Sequence, residues 1–274
     1  MNGVRSSNPV PKKALGQHWL EDEACLKAMM HMAEIGPDDV VLEIGPGLGT
    51  LTRHLVATAK KVIAVEFDEV LALSLPSRIA ADNLEVVRED ILKFNLTKLP
   101  KNYKVVANIP YYLTSNLVRI LSESENPPSR VALLIQKEVA ERIAAKTGDM
   151  SILSVTAQFY WSVTLGRVVK AELFTPPPKV DSQIVGLVRR RDVLAEDAKG
   201  NPETKTLFRV VKAGFSGRRK TLRNAMSAGL HLSKGQVEEL LQEAKIDPGL
   251  RAQTLTLEQW HTLYKTYEDK YLTS

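Results

Sequence analysis

Val40-Val41-Leu42-Glu43-Ile44-Gly45-Pro46-Gly47-Leu48-Gly49 is the stretch on which the fold turns. Four of its first five residues are apolar and three are β-branched, the composition of a strand buried on both faces. Glycines at every second position follow at once, so the backbone can turn tightly and a ligand can approach it closely. Thr50 then stands as the N-cap of a helix carrying Leu51 and Leu55. Strand, glycine turn and helix in that order open a βαβ unit, and such units bind ligands at the carboxyl edge of a parallel sheet.

Outward from this stretch the alternation continues. Strands are predicted at 62–66, 84–87, 104–107 and 131–135, with helices at 69–80, 115–122, 137–145 and 151–159 between or after them. Ahead of the glycine turn lies an amphipathic helix at 22–34 and a turn at Gly36-Pro37-Asp38-Asp39. Segments 163–169 and 184–188 read as a closing pair of strands with no helix between them, an antiparallel element at one edge. From 192 the pattern changes: a polar linker at 192–202 precedes helices at 203–214, 218–228, 233–244 and 257–270. The expected architecture is an α/β domain over 1–192, with a flexible stretch at 1–13, followed by a small all-helical domain over 193–274.

Composition excludes several classes. No apolar run approaches the roughly 20 residues of a membrane span, and residues 1–15 lack the apolar core of a secretory signal. The single cysteine, Cys25, permits no internal disulfide and points to a reducing compartment, hence a cytoplasmic protein. His18, His31, His54, His231 and His261 are scattered without metal-ligand spacing, and no metal is expected. The net charge of +5 is unevenly spread. Between Arg189 and Arg223 eleven Lys/Arg stand against four Asp/Glu, a local +7 that leaves −2 for the rest of the chain. Such a local excess reads as a surface for an anionic partner.

The glycine spacing discriminates between cofactors. A dinucleotide fingerprint beginning at Gly45 would need its third glycine at position 50, which is Thr50. The tighter spacing Gly45-x-Gly47-x-Gly49 suits S-adenosylmethionine, which has no pyrophosphate to cradle. Glu66, at the end of the second strand and 19 residues beyond Gly47, can accept from both ribose hydroxyls. Asp90, at the end of the third, can accept from the adenine amine, and its neighbour Ile91 is counted with the same site.

Asn108-Ile109-Pro110-Tyr111 ends the fourth strand. An amide oxygen and a backbone carbonyl at Ile109 or Pro110 can hold the two N–H groups of a flat exocyclic amine, and the Tyr111 ring can stack a base. Phe174, before the Pro176-Pro177-Pro178 run, could supply a second stacking face; its alternative is an ordinary core ring. Arg218, Arg219, Lys220 and Arg223 are the candidate RNA-backbone contacts; Arg189-Arg190-Arg191 is weaker evidence for such contacts, since a strand end with three arginines is often just solubilising.

At these residues the sequence resembles the small-subunit (16S) ribosomal RNA adenine N6-dimethyltransferases. The likeness runs through Lys13-Ala14-Leu15-Gly16-Gln17-His18-Trp19-Leu20, the glycine turn, Asn108-Ile109-Pro110-Tyr111, the segment 174–182 and Phe215-Ser216-Gly217-Arg218-Arg219-Lys220-Thr221-Leu222. It implies a class I, Rossmann-like methyltransferase fold with a mostly parallel seven-stranded sheet, and dimethylation of two adjacent adenosines in a hairpin loop near the 3′ end of 16S rRNA. The implied cofactor is S-adenosylmethionine, with S-adenosylhomocysteine as product, contacted by His18, Leu20, Gly45, Glu66, Asp90 and Asn108. The implied partner is 16S rRNA within the small ribosomal subunit, with no membrane, and a monomer is expected. One departure stands out: the family usually has Gln-Asn-Phe-Leu where this chain has Gln17-His18-Trp19-Leu20. His18 can still hydrogen-bond and Trp19 is a larger aromatic, so a contact there is expected to persist. The alternatives are a large-subunit rRNA adenine methyltransferase sharing the pocket, and a non-catalytic RNA-binding assembly factor.

Overall fold

The computed structural model describes residues 9–191, 202–217 and 219–272. Most of the expected flexible N-terminus (1–8), the expected linker (192–201) and Arg218 lie outside the described residues. Contacts divide the chain into two compact units. The first runs to Leu121 and includes Asn126–Ala140 and Thr164–Val188; the second comprises Ser122–Glu125, Glu141–Val163 and everything from Arg189 on.

The first unit is built on β1 (Trp19–Leu20), α1 (Glu23–Met32), β2 (Val40–Ile44), α2 (Thr50–Thr58), β3 (Lys61–Glu66), α3 (Glu69–Ile79), β4 (Leu84–Arg88), β5 (Lys104–Asn108), α4 (Thr114–Glu123) and β6 (Arg130–Gln136). After α5 (Lys137–Ile143) and α6 (Ile152–Tyr160) come β7 (Trp161–Val169), β8 (Phe174–Thr175) and β9 (Ser182–Arg189). Seven strands form one sheet in the order β4-β3-β2-β5-β6-β9-β7. β4 to β6 pair in parallel and β9 runs antiparallel to β6, so the alternation and the late antiparallel strand are as the sequence leads one to expect.

Burial explains the apolar runs. Val41–Ile44, Val62–Glu66 and Val131–Ile135 are buried at every position, which requires cover on both faces of the sheet. One face packs Val41, Val62, Val106, Ala132 and Leu134 against Leu26 and Met29 of α1 and Leu51 and Leu55 of α2. Each Val, Leu or Met side chain among them contributes about 1.5–3 kcal/mol by leaving water.

Three local readings need correction. Thr50 is the first residue of α2 rather than its cap; Gly49 takes the cap position at φ 82°, in the left-handed region that only glycine enters without strain. The Thr50 hydroxyl is thereby released to donate to the Leu20 carbonyl at 2.9 Å. A two-stranded antiparallel ribbon also pairs Trp19 with Thr175 and Leu20 with Phe174, at strand lengths too short to leave a periodic signal. Finally, the helix expected from 218 begins at Leu222.

In the second unit α7 (Pro202–Gly214), α8 (Leu222–Leu230), α9 (Lys234–Glu243) and α10 (Leu257–Tyr271) pack on one another, and α6 packs on α7 and α10. Its core holds Trp260, Leu263, Met226 and Leu240, all fully buried. Arg189 belongs to this interior rather than to a solvated strand end. Its guanidinium lies 4.9 Å from the centre of the Tyr160 ring and 5.1 Å from that of Trp161, and it donates to the Ser122 carbonyl at 3.1 Å. Arg190 likewise donates to the Gln158 carbonyl at 3.1 Å. Among the described residues no helix is long and apolar enough to cross a membrane.

Candidate active site

Strand order reverses between β2 and β5, because β3 and β4 extend the sheet to one side and β6 to the other. Crevices at such switch points, outside the carboxyl ends of the strands, are where open α/β sheets bind ligands. Here a cavity of about 260 Å³ opens at that place, within the first unit. His18, Leu20, Gly45, Gly47, Glu66, Asp90, Ile91, Asn108, Pro110, Tyr111 and Phe174 all line it. Gly49 does not. Its own Cβ, were it present, would stand 2.8 Å from methyl carbons of Leu75 and Ile79, so this glycine serves the packing of α2 on α3 instead of a ligand.

The turn is held by its carboxylates. Gly45 donates to the Val65 carbonyl at 2.9 Å, and Gly47, at φ 56°, donates to Glu66 Oε2 at 3.1 Å. Glu66 Oε1 accepts from the Asp68 amide at 2.8 Å. Burial raises the Glu66 pKa, and the amides of Asp68, Gly47 and Phe67 oppose that rise. Each Glu66 oxygen keeps acceptor capacity for a ribose hydroxyl. Asp90 accepts from the Leu92 amide at 3.0 Å through one oxygen.

Asp68 has no counterpart in the sequence expectations, although it is the most heavily engaged carboxylate of the site. One of its oxygens caps α3 at Val70 and Leu71, and the other meets Lys12 Nζ at 2.8 Å and Gln17 Nε2 at 3.2 Å. Burial pushes its pKa up, but Lys12, Gln17 and the helix amides outweigh burial and hold it below the usual value. An acid two residues beyond Glu66 and directly before a helix was the available signal. The Lys12–Leu20 segment is thus tied at one end to α3 and at the other to β8.

The far side of the cavity is built on the tip of β5. The Asn108 Nδ2 donates to the His18 carbonyl at 3.2 Å, which commits the amide nitrogen and leaves Oδ1 as the acceptor of this lining side chain. The Pro110 carbonyl already accepts from the Leu113 amide at 3.0 Å. Tyr111 is braced at both ends. Its hydroxyl shares a hydrogen bond of 2.9 Å with the buried Ser182 hydroxyl, and its ring stacks on His18 with centroids 6.1 Å apart and planes 19° from parallel. The His18 ring donates through Nδ1 to the Pro176 carbonyl at 2.7 Å. Phe174 is only 3% exposed and packs in the core with Leu20 and Leu26, so it forms cavity wall and offers no free stacking face. The open aromatics of the lining are Tyr112, 64% exposed, and Phe67, 62% exposed.

Two buried polar atoms of the lining have no partner among the described residues: Trp19 Nε1, a donor, and Glu43 Oε2, an acceptor. Burial pushes the Glu43 carboxyl up to about 8, and the nearby Glu66 charge adds to that. S-adenosylmethionine carries two ribose hydroxyls and an adenine amine, and the Glu66 and Asp90 carboxylates that line the cavity are acceptors that fit those donors.

The basic cluster is in the second unit. Arg219 and Lys220 are exposed in the turn before α8, whereas Arg223 is paired with Glu238. The first amides of α8 are already used, Leu222 donating to the Leu250 carbonyl at 2.7 Å and Arg223 to that of Pro248 at 3.3 Å. The side chains of the turn, not the helix terminus, are therefore what an anion would meet.

Comparison with known proteins gives a consistent result. The sequence profile of the family described as ribosomal RNA adenine dimethylase matches residues 10–269. A ribosomal RNA small subunit methyltransferase A of Dehalococcoides mccartyi is 41% identical over 262 residues, covering 94% of this chain and 89% of the relative. The protein of that name from Clostridium acetobutylicum is 41% identical over 258 residues, covering 92% and 91%. Among solved structures, a dimethyladenosine transferase from Plasmodium falciparum superposes with a TM-score of 0.80 at 28% identity, over 92% of this chain and 98% of that one. The 23S rRNA methyltransferase ErmE superposes with a TM-score of 0.70 at 30% identity, over 90% and 98%.

Proposed function

The chain belongs to the ribosomal RNA adenine dimethylase family, and from that premise we propose that it transfers methyl groups from S-adenosylmethionine to N6 of two adjacent adenosines in a hairpin loop near the 3′ end of 16S rRNA. The observation that carries this reading is the Asn108 side chain, which lines the cavity with Tyr111 and whose nitrogen is committed to the His18 carbonyl, so that its oxygen is the atom left to accept. An adenine amine is a weak nucleophile because its lone pair is delocalised into the ring. Asn108 Oδ1 and a neighbouring carbonyl, accepting its two N–H groups, favour a more tetrahedral nitrogen whose lone pair is free to react. The second acceptor is the Ile109 or the Pro110 carbonyl; the latter already accepts from the Leu113 amide and keeps its second lone pair.

When bound, S-adenosylmethionine supplies an electrophilic methyl group. Glu66 holds the ribose, Asp90 and Ile91 the adenine, and Gly45, Gly47 and Leu20 the remainder of the cofactor. Tyr111 offers a face to the extruded target base, and such stacking returns about 1–3 kcal/mol against the cost of unstacking. No side-chain base is needed, because the N6 proton becomes acidic as the amine is alkylated. Residues 1–192 form the catalytic domain in this reading and 193–274 the RNA-binding domain. Arg218, Arg219, Lys220 and Arg223 then meet the phosphate backbone of rRNA in the small subunit. The protein works as a monomer in the cytoplasm.

The test is to incubate the protein with methyl-labelled cofactor and small subunits that lack the modification, then map the label. Label on N6 of two adjacent adenosines near the 3′ end of 16S rRNA is the expected result. Label confined to large-subunit RNA would move the substrate, and no label on either would leave a binding protein without catalysis.

A further inference from the structure

Tyr111 and Ser182 stand 71 residues apart, yet their hydroxyls meet at 2.9 Å. The sheet register brings them together. Asn108 of β5 pairs with Leu134 of β6, and Leu134 pairs in turn with Ile184 of β9. Because β9 runs antiparallel to β6, its first residue, Ser182, lies opposite Gln136, the last residue of β6. An antiparallel strand thus delivers its beginning to the edge at which the parallel strands end, where the cavity opens. The entry to β9 is itself fixed. The Asp181 carbonyl accepts from the Lys137 amide at 3.0 Å, and the Asp181 carboxylate accepts from the Ala171 amide at 3.1 Å and from Lys170 Nζ at 2.9 Å. Ser182 is fully buried, and a single torsion places its oxygen, so Oγ is a fixed point. Among the described residues its side chain has no hydrogen-bond partner other than Tyr111. Ser182 does not itself line the cavity, whereas the half-buried Tyr111 ring does.

We propose that Ser182 is a positioning residue for methyl transfer: by holding the Tyr111 hydroxyl it fixes the plane of the ring against which the target base rests. This rests on the reading of the cavity as a methyl-transfer site with Tyr111 as the stacking face. The plane of the base sets the direction of the N6 lone pair, so a ring free to tilt at its outer end misaims the attack. A displacement of about 1 Å at a reacting centre can cost about 100-fold in rate, and loss of one neutral hydrogen bond allows a part of that.

The test is a double-mutant cycle of Ser182→Ala and Tyr111→Phe, which remove the same hydrogen bond from its two ends while the aromatic ring stays. Single-turnover methylation of small subunits lacking the modification gives the rate at saturation and the half-saturating subunit concentration, and calorimetric titration with S-adenosylhomocysteine shows that each variant is folded. The expected result is a saturating rate lower by about 10-fold in each single variant, no further loss in the double variant, and S-adenosylhomocysteine affinity within about twofold of the unaltered protein. Unchanged rates in the single variants would overturn the proposal. So would a double-variant loss equal to the product of the two single losses, or a loss confined to the half-saturating concentration. If Ser182→Ala fails to bind S-adenosylhomocysteine, Tyr111→Phe decides alone, and an unchanged rate there overturns the proposal. An unaltered protein that methylates no small subunits sinks the methyl-transfer reading itself, whatever the variants do.

Discussion

The cavity at the strand tips and the basic turn before α8 are prepared for their partners in opposite ways. At the cavity four polar side chains are committed before any ligand arrives: Glu66 to Gly47 and Asp68, Asn108 to His18, Tyr111 to Ser182, Asp68 to Lys12 and Gln17. At the turn Arg219 and Lys220 stand exposed on long flexible stems, and among the described cations of the cluster only Arg223 is tied, to Glu238. Preorganised dipoles act on the rate, since no reorientation is left to be done when charge develops. Mobile surface cations act on affinity, through displaced counterions, and lose their effect in salt.

The largest expected effect breaks the first half of that contrast. Asn108→Ala removes the aimed amide oxygen and should lower turnover by about 100- to 1000-fold while S-adenosylhomocysteine still binds. Single-turnover methylation at saturating substrate measures it. Near-normal turnover would remove Asn108 from the chemistry and with it the argument that fixed groups set the rate.

A second expectation concerns the cost of holding such groups ready. Glu43 is almost fully buried and its pKa is pushed up to about 8 by burial. A carboxyl whose folded pKa lies above its unfolded value binds its proton more tightly in the folded state. Its contribution to stability is therefore complete below the unfolded value, near 4.5, and is lost as pH rises through about 8. The stability of the unaltered protein relative to Glu43→Gln should fall by about 2 kcal/mol between about pH 6 and about pH 8. Urea unfolding of the ligand-free protein at several pH values would show it. A pH profile that is the same in both proteins would mean that Glu43 stays ionised in its burial site.

How much of this could be read from the sequence depended on whether a residue's task was local. Gly45 and Gly47 declare themselves because a tight turn with positive φ angles favours glycine, and Glu66 and Asn108 because a polar residue ending an apolar strand marks its tip. The β1–β8 ribbon was silent, since two residues per strand carry no period and their partners lie more than 150 residues apart. Sequence separation, 158 and 71 residues, likewise hid the Pro176 carbonyl that holds His18 and the Ser182 hydroxyl that holds Tyr111. Phe174 and Tyr112 show the limit most plainly: both are aromatic residues next to the site, and only packing decides that the first is wall and the second is open. Charge misleads in the same manner, because Arg189 in its aromatic slot and Arg219 in water look alike in one dimension.

The smallest effect sharpens that last point at the basic turn. Arg219→Gln and Lys220→Gln should each reduce the slope of log binding constant against log salt by about 0.7–0.9, the amount expected when one phosphate contact is lost. Binding should weaken across RNA sequences alike, and turnover at saturating RNA should hold. Arg223→Gln should change the slope less, because its guanidinium is already neutralised by Glu238 and a phosphate would have to compete with that carboxylate. Glu238→Gln removes the competitor and should raise RNA affinity at low salt, and this gain should disappear in the Arg223→Gln background. A larger slope change at Arg223 than at Arg219 would show that the ion pair opens on binding, and the turn would then hold one committed cation in reserve, closer in design to the cavity than its exposed neighbours are.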